Sequence, residues 1–161
     1  MGPSMRYAVV ERERRFLVRS VPDGVVRVST ITDRYLLGSR LRLREVREGD
    51  GRVVRKLGQM VRLSAGPAEI ACTSLYLDDE EWALLAGLPA AVLRKRRHHV
   101  ARDGVKLAVD ELEDRTLLTE IDDGDGRVLP PPSWLDVVRE VSADEAWTGA
   151  ALAAHGPPRR G

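Results

Sequence analysis

The chain has 161 residues, of which 43% are hydrophobic and 32% are charged, a composition typical of a charge-rich globular protein. Lys and Arg number 26 against 25 Asp and Glu, so net charge does not point to a nucleic-acid or strongly acidic partner. One cysteine, Cys72, excludes an intrachain disulfide, and the short apolar runs predict no membrane span and a cytoplasmic setting.

Most of the chain consists of short runs in which apolar and polar residues alternate, bounded by Gly, Pro and Asp. This pattern predicts strands joined by turns. The predicted strands cover residues 7–18, 25–37, 39–47, 52–63, 70–77, 93–101, 105–112 and 117–122. The second of these is expected to be broken once.

Helices are predicted at three places. Asp78 can cap a short helix that ends near Gly87, and acidic residues follow Asp78 in the first turn, where the helix dipole favours them. Ser133 follows three prolines and can cap a second helix. The second and third helices are expected over residues 134–141 and 143–154.

The first predicted strand favours a barrel over a sandwich. Side chains alternate along a strand, so one face carries Glu11, Glu13 and Arg15 and the other carries Arg12 and Arg14. A barrel with a polar lumen keeps both faces in water. We therefore predict a mainly β protein with flanking helices (α+β), built on an antiparallel barrel. It is expected to form a single domain over residues 5–155, with flexible termini at 1–4 and 156–161.

Two acidic pairs with the same i, i+2 spacing lie near opposite ends of the chain: Glu11 with Glu13, and Glu120 with Asp122. Neighbouring carboxylates on one face repel unless a cation lies between them, and Mg²⁺ takes carboxylate and phosphate oxygens. The pairs therefore indicate a divalent metal site. Solvent-facing charge on an edge strand is the alternative.

Basic residues repeat this spacing on three predicted strands. Arginine and lysine in such sets bind phosphate oxygens, whereas a solvated face and a nucleic-acid surface are the alternatives. Aromatic residues make up only 4% of the chain, which leaves few platforms for base stacking and argues against nucleic acid as a partner. The basic set is Arg42, Arg44, Lys56, Lys95 and Arg97.

The segment that runs from Glu11 to Arg15 resembles the Glu-x-Glu-x-Lys signature of the CYTH superfamily, the triphosphate tunnel metalloenzymes. The resemblance continues, in order, along nearly the whole chain. It includes Leu41-Arg42-Leu43-Arg44, Arg55-Lys56-Leu57-Gly58-Gln59, Ser74-Leu75-Tyr76-Leu77-Asp78, Lys95-Arg96-Arg97, Val109-Asp110-Glu111 and Leu118-Thr119-Glu120-Ile121-Asp122.

This resemblance implies an eight-stranded antiparallel tunnel that hydrolyses a triphosphate with Mg²⁺ or Mn²⁺. Glu11, Glu13 and Arg15 would be catalytic. The implied metal ligands are Glu11, Glu13, Asp110, Glu120 and Asp122. The implied triphosphate-binding residues are Arg42, Arg44, Lys56, Lys95 and Arg97.

The chain departs from the family pattern at several places. Arg15 replaces the signature lysine, Met60 stands where similar relatives often have a lysine, and Glu69 is the one acid near the fifth strand. Ala146 precedes Trp147 at a position where the family often has a basic residue. A class IV-type adenylate cyclase and a non-catalytic polyphosphate- or nucleotide-binding module are therefore kept as alternatives. A monomer or homodimer is expected.

Overall fold

A computed structural model describes residues 5–124 and 126–159 of the chain. Most of the described residues lie in strands. The strands are β1 (Val9–Val18), β2 (Val25–Leu36), β3 (Leu41–Glu48), β4 (Val53–Arg62), β5 (Glu69–Tyr76), β6 (Ala90–Arg102), β7 (Val105–Leu112), β8 (Leu117–Asp122) and β9 (Val137–Glu140). The helices are α1 (Asp79–Ala86), a 3₁₀ turn (Glu145–Trp147) and α2 (Gly149–His155). Of the predicted flexible termini, residues 1–4, 160 and 161 lie outside the described part.

Eight of the strands form a closed antiparallel barrel, as the sequence predicted. The order is β5-β4-β3-β2-β6-β7-β8-β1, and β1 returns to β5 to close the ring. The first half of β1 (9–12) pairs with β5, and its second half (13–18) pairs with β8. β9 adds to β1 outside the ring. Among the described residues, no helix is long and apolar enough to cross a membrane.

The side chains of β1 alternate as predicted, and each face has its own partners. Arg12 and Arg14 point out of the barrel, where they bond the carboxylates of Glu69 and Asp123. The inward set is Glu11, Glu13 and Arg15. Because the outward arginines are paired with acids on neighbouring segments, the two charged faces stabilise one orientation of the strand.

An apolar cluster closes one end of the barrel. Trp147 and Leu152, from the 3₁₀ turn and α2, pack on three inward leucines of the barrel, Leu93, Leu112 and Leu118. The closed end therefore separates the polar lumen from a dry core. A second apolar cluster covers the outside of the barrel, where the 134–137 segment packs on Val18 and Val109.

The predicted helix at 134–141 is wrong. Trp134 and Leu135 pack on the outer face of the barrel, and Val137–Glu140 forms β9 on the free edge of β1. Backbone hydrogen bonds to that edge stabilise the segment more than a short isolated helix would, since such helices are marginal in water.

The predicted helix at 143–154 is a 3₁₀ turn followed by α2, because Thr148 has an extended backbone and caps α2 through its side chain. The predicted break in the second strand is also absent, since β2 runs without interruption from Val25 to Leu36.

Candidate functional site

The polar part of the lumen is a cavity of about 380 Å³, called here the tunnel cavity. Three sectors of its wall differ in character. The acidic sector is Glu11, Glu13 and Glu120, from β1 and β8. The basic sector is Arg42, Arg44, Lys95 and Arg97, from β3 and β6. The apolar sector is Met60, Ile70 and Cys72, from β4 and β5.

The acidic sector brings three carboxylates together. Burial, followed by the charges of Glu120 and Glu11, raises the pKa of Glu13 to about 8. Burial also raises the pKa of Glu11, although Arg42 opposes it. Burial acts in the same direction on Glu120, but Arg15 and Lys95 outweigh it and hold that pKa below its usual value. A cation between Glu11 and Glu13 would relieve this repulsion.

The basic sector is held in place by two buried aspartates. Asp33, on β2, is 0% exposed, and its two oxygens accept hydrogen bonds of 2.7 and 2.8 Å from Nε and Nη2 of Arg44. Asp110, on β7, accepts the same paired bonds from Arg97 and lies 2.7 Å from Nζ of Lys95. These cations hold the pKa of each aspartate below its usual value against the effect of burial. Both carboxylates therefore stay ionised and fix the basic side chains.

Arg42 is paired more weakly than its neighbours. Its Nε is buried and has no hydrogen-bond partner among the described residues, and the nearest Asp33 oxygen is 3.9 Å away. A buried guanidinium nitrogen without an acceptor is costly. Arg42 is thus the lining arginine with the weakest carboxylate partner among the residues described.

Arg15 lies on β1 beside the acidic sector, in register with Glu120 of β8. Its Nε and Nη2 donate to one oxygen of Glu120 at 2.8 and 2.6 Å, and its Nη1 donates to the backbone carbonyl of Trp147 at 2.8 Å. The guanidinium is therefore held in one orientation by β8 and by the 3₁₀ turn.

Two predicted site residues lie toward the open end of the barrel. Lys56 pairs in register with Arg44 and so faces inward, and its Nζ lies 5.3 Å from the ring centroid of Tyr76. Asp122 pairs in register with Glu13, but it is exposed, and its Oδ1 accepts hydrogen bonds from the backbone N–H groups of Arg12 and Gly124. Asp122 thus also shapes the turn after β8.

The carboxylates fit a metal that keeps open coordination positions. Among the residues described, no three His, Cys, Asp or Glu side chains form a ready-made metal cage. Asp110 is occupied by Lys95 and Arg97. Glu11 and Glu13 are left as a two-carboxylate donor set, which suits Mg²⁺ because this ion is usually bound by one or two carboxylates, waters and phosphate oxygens.

Sequence reasoning missed three residues of the site. Asp33 supports Arg44, Tyr35 lines the cavity beside Gly149, and Arg62 lines its rim and bonds Glu145 through both nitrogens at 2.6 and 2.5 Å. A signal existed for two of them. Asp33 and Tyr35 alternate with Ile31 on one face of a predicted strand, which marks that face as partly polar and lumen-facing.

Comparisons with known proteins bear on the fold. No protein-family model matches the chain, and no curated protein matches it either. The solved structures to which the chain is similar include the following three. The hypothetical protein NE1496 is 22% identical, with a TM-score of 0.55 over 89% of this chain and 96% of that one. A conserved hypothetical protein from Pyrococcus furiosus is 20% identical, with a TM-score of 0.53 over 77% and 81%. PH1012 from Pyrococcus horikoshii OT3 is 18% identical, with a TM-score of 0.51 over 76% and 80%. At these identities the likeness shows a shared fold.

Proposed function

We propose that this protein is a CYTH-like enzyme that hydrolyses a small-molecule triphosphate in the tunnel cavity, with Mg²⁺ or Mn²⁺. The observation that carries the proposal is the arrangement of the wall, in which Glu11 and Glu13 share one cavity with Arg42, Arg44, Lys95 and Arg97. Such a wall suits a ligand that is itself anionic and carries a cation. Cytoplasmic location and the monomeric or homodimeric state stay predictions from the sequence.

The basic sector would hold the phosphate chain. Catalysis of phosphoryl transfer requires mainly positioning and charge neutralisation from a protein. Asp33 and Asp110 orient Arg44 and Arg97 before any ligand arrives, so little reorganisation is needed on binding. Arg42, whose nearest carboxylate oxygen among the residues described is 3.9 Å away, would add charge that no close ion pair neutralises.

The acidic sector would hold the metal ion through Glu11 and Glu13. When bound there, a divalent ion supplies charge neutralisation at the phosphate oxygens and orientation of a water molecule. Arg15, fixed by Glu120 and the Trp147 carbonyl, adds a positive charge beside the metal-binding carboxylates. It would stabilise negative charge on the transferred phosphoryl group.

Phosphate release from inorganic triphosphate, measured with and without Mg²⁺, tests the proposal. We expect metal-dependent turnover that Glu11→Gln lowers by roughly 100-fold or more, since electrostatic groups at a reacting centre contribute that much. Glu69→Gln is the matched control, because Glu69 faces out of the same barrel and pairs with Arg12. Turnover without metal, or turnover that Glu11→Gln leaves intact, would contradict the proposal.

A non-catalytic triphosphate-binding module is the second candidate, and the state of Arg15 favours it. Three nitrogens of its guanidinium are already bonded to Glu120 and Trp147, which limits how Arg15 can follow a reacting group. Under this alternative, calorimetry would detect tight triphosphate binding, whereas no divalent metal would support phosphate release.

A further inference from the structure

The apolar sector of the tunnel cavity is not explained by a bare triphosphate. The inward positions of β5 are Ile70, Cys72, Ser74 and Tyr76, as their register with inward residues of β1 and β4 shows. The β5 carboxylate, Glu69, points outward and bonds Arg12. Met60 pairs with Cys72 across β4 and β5, so the two sulfur-containing side chains form one patch.

This patch borders both charged sectors. Ile70 pairs in register with Glu11 of the acidic sector. On the other side, Gly58 pairs with Arg42, and a side chain at Gly58 would meet only ordinary contact distances of 3.8 Å or more. A ligand held between Glu11 and Arg42 therefore lies against an apolar wall with space beside it.

The patch also reaches the rim of the cavity. Pro67 and Ala150 line the cavity together with Met60 and Ile70, and Ala150 is exposed. Arg62, which pairs in register with Ile70 and bonds Glu145, borders the same rim, so the path from the patch to solvent is apolar on one side and carries one paired arginine on the other. It passes between the 63–68 loop and the start of α2.

A bare triphosphate is poorly matched to such a wall. Each of its phosphates carries charge and needs hydrogen-bond donors or water on every side, and contact with an apolar surface removes that water without replacing it. An apolar substituent on the terminal phosphate turns the same contact into a favourable one. The cavity volume of about 380 Å³ is near the lower end of the range for small organic ligands, so the substituent is compact.

We propose that the ligand is an organic triphosphate, in which a compact apolar group on the terminal phosphate packs against Met60, Ile70 and Cys72 and points toward Pro67 and Ala150. This inference rests on the proposed function and deepens it. It assigns the charged sectors to the phosphate chain and the apolar sector to selection among triphosphates.

Calorimetry with two probes tests the inference. We use inorganic triphosphate and phenyl triphosphate, each with Mg²⁺. Phenyl triphosphate is expected to bind about tenfold more tightly, which corresponds to burial of roughly 50–60 Å² of apolar surface at about 25 cal/mol per Å². Phosphate release from both probes is measured in parallel.

Two variants locate the selectivity. Met60→Gln keeps the size of the side chain and adds polarity, and Ile70→Ser removes apolar bulk. Both are expected to reduce the preference for phenyl triphosphate at least threefold, while the affinity for inorganic triphosphate changes less than twofold. Leu75→Ser is the matched control, because Leu75 lies on the same strand but faces outward and is 54% exposed.

The outcomes separate the two proposals. Equal or tighter binding of inorganic triphosphate would overturn the inference, and metal-dependent phosphate release from that probe would leave the proposed function standing. A preference for phenyl triphosphate that survives both variants would also overturn the inference, since the apolar group would then lie elsewhere. Absence of both binding and phosphate release with either probe would overturn the proposed function and the inference with it.

Discussion

Asp33 shows how a single buried carboxylate can hold a cluster of like charges. It is fully buried, bonds Arg44 through both oxygens and lies near Arg42. Asp33→Asn keeps the shape but leaves the buried guanidinium without its counter-charge. We expect the free energy of unfolding in urea to fall by about 3 kcal/mol, the typical loss when one partner of a buried ion pair is removed.

Asp50→Asn provides the control for this experiment. Asp50 pairs with Arg52 in an exposed turn, where both side chains are more than half exposed. A surface pair of this kind contributes little, so the variant is expected to lie within about 0.5 kcal/mol of the wild type. If Asp33→Asn were equally mild, water in the lumen would be solvating Arg44, and the supporting role of Asp33 would be wrong.

The raised pKa of Glu13 predicts that the protein loses stability as the pH rises above the usual pKa of a glutamate. Its pKa is raised from 4.5 to about 8 in the folded protein, chiefly by burial. Between these values the folded chain holds a proton that the unfolded chain has lost, so the contribution of Glu13 is fully present below pH 4.5 and is lost as the pH rises to about 8. The total loss is on the order of a few kcal/mol.

Urea unfolding of wild type and Glu13→Gln, measured in EDTA from about pH 5 to pH 9, tests this expectation. The difference in stability between the two proteins should grow in favour of the variant as the pH rises. The comparison removes the effect of His99, whose lowered pKa acts in the opposite direction. The lowered pKa values of Asp33 and Asp110 act below this window. A constant difference across the range would show that Glu13 is ionised throughout.

The site residues that could best be predicted from the sequence are those in a run of charges that an ordinary half-buried strand would not contain. Glu11 and Glu13 could be placed on one inward face because five charges in a row rule out a buried face. The support of Arg44 by Asp33 could not be foreseen, because β2 and β3 had first to be paired in register. The same holds for Asp110, which the resemblance made a metal ligand and which bonds Lys95 and Arg97 here.

At the scale of elements, α2 is positioned by one very close approach. A Cβ atom added at Gly149 would overlap the hydroxyl of Tyr35, so only glycine allows α2 to lie this near β2. Gly149→Ala must displace either the ring or the helix. We expect a loss of about 1–3 kcal/mol in the free energy of unfolding, which is typical of overpacking.

Gly87→Ala is the matched control at the end of α1. Gly87 has helical backbone angles, and a Cβ there meets nothing within 4 Å. The variant should be neutral or stabilising by about 0.4–1 kcal/mol, because alanine restricts the unfolded chain. Thermal unfolding of both variants checks the pair. A Gly149→Ala protein as stable as wild type would mean that α2 shifts freely on the barrel.

The strands were predictable from alternation and turn residues, whereas the segment after the prolines was not. Residues 134–141 have an N-cap and no helix breaker, so local sequence favours a helix. The edge of β1 at Phe16–Val18 overrides this preference by offering backbone partners to β9 and an apolar surface to Leu135. That edge exists only once the barrel has closed, so the pairing of β9 depends on tertiary structure and cannot be predicted from a local sequence pattern.

At the scale of the whole molecule, a nearly neutral chain folds so that its charges separate. The net charge is +1, yet six basic and three acidic side chains line the tunnel cavity. The basic lining residues are Arg15, Arg42, Arg44, Arg62, Lys95 and Arg97. Closing the barrel brings these cations together, and their mutual repulsion is a cost of the fold that a bound polyanion would offset.

Inorganic triphosphate should therefore stabilise the protein even before any metal is added. At a concentration of about 100 times its dissociation constant, a ligand that binds only the folded state adds about 2.7 kcal/mol. For a domain of this size that corresponds to a rise in Tm of roughly 5–10 °C. Sodium chloride at equal ionic strength should have a much smaller effect, since it only screens the charges.

The variants Arg42→Ala and Arg52→Ala test whether the triphosphate that raises Tm binds in the tunnel cavity. Arg42 lines the cavity and its Nε has no hydrogen-bond partner in the described part of the chain, whereas Arg52 lies in an exposed turn outside it. Scanning calorimetry should show the triphosphate-induced rise in Tm reduced by at least half in Arg42→Ala and retained in Arg52→Ala. An equal rise in both variants would place the anion on the outer surface, because neither change would then have touched its binding site.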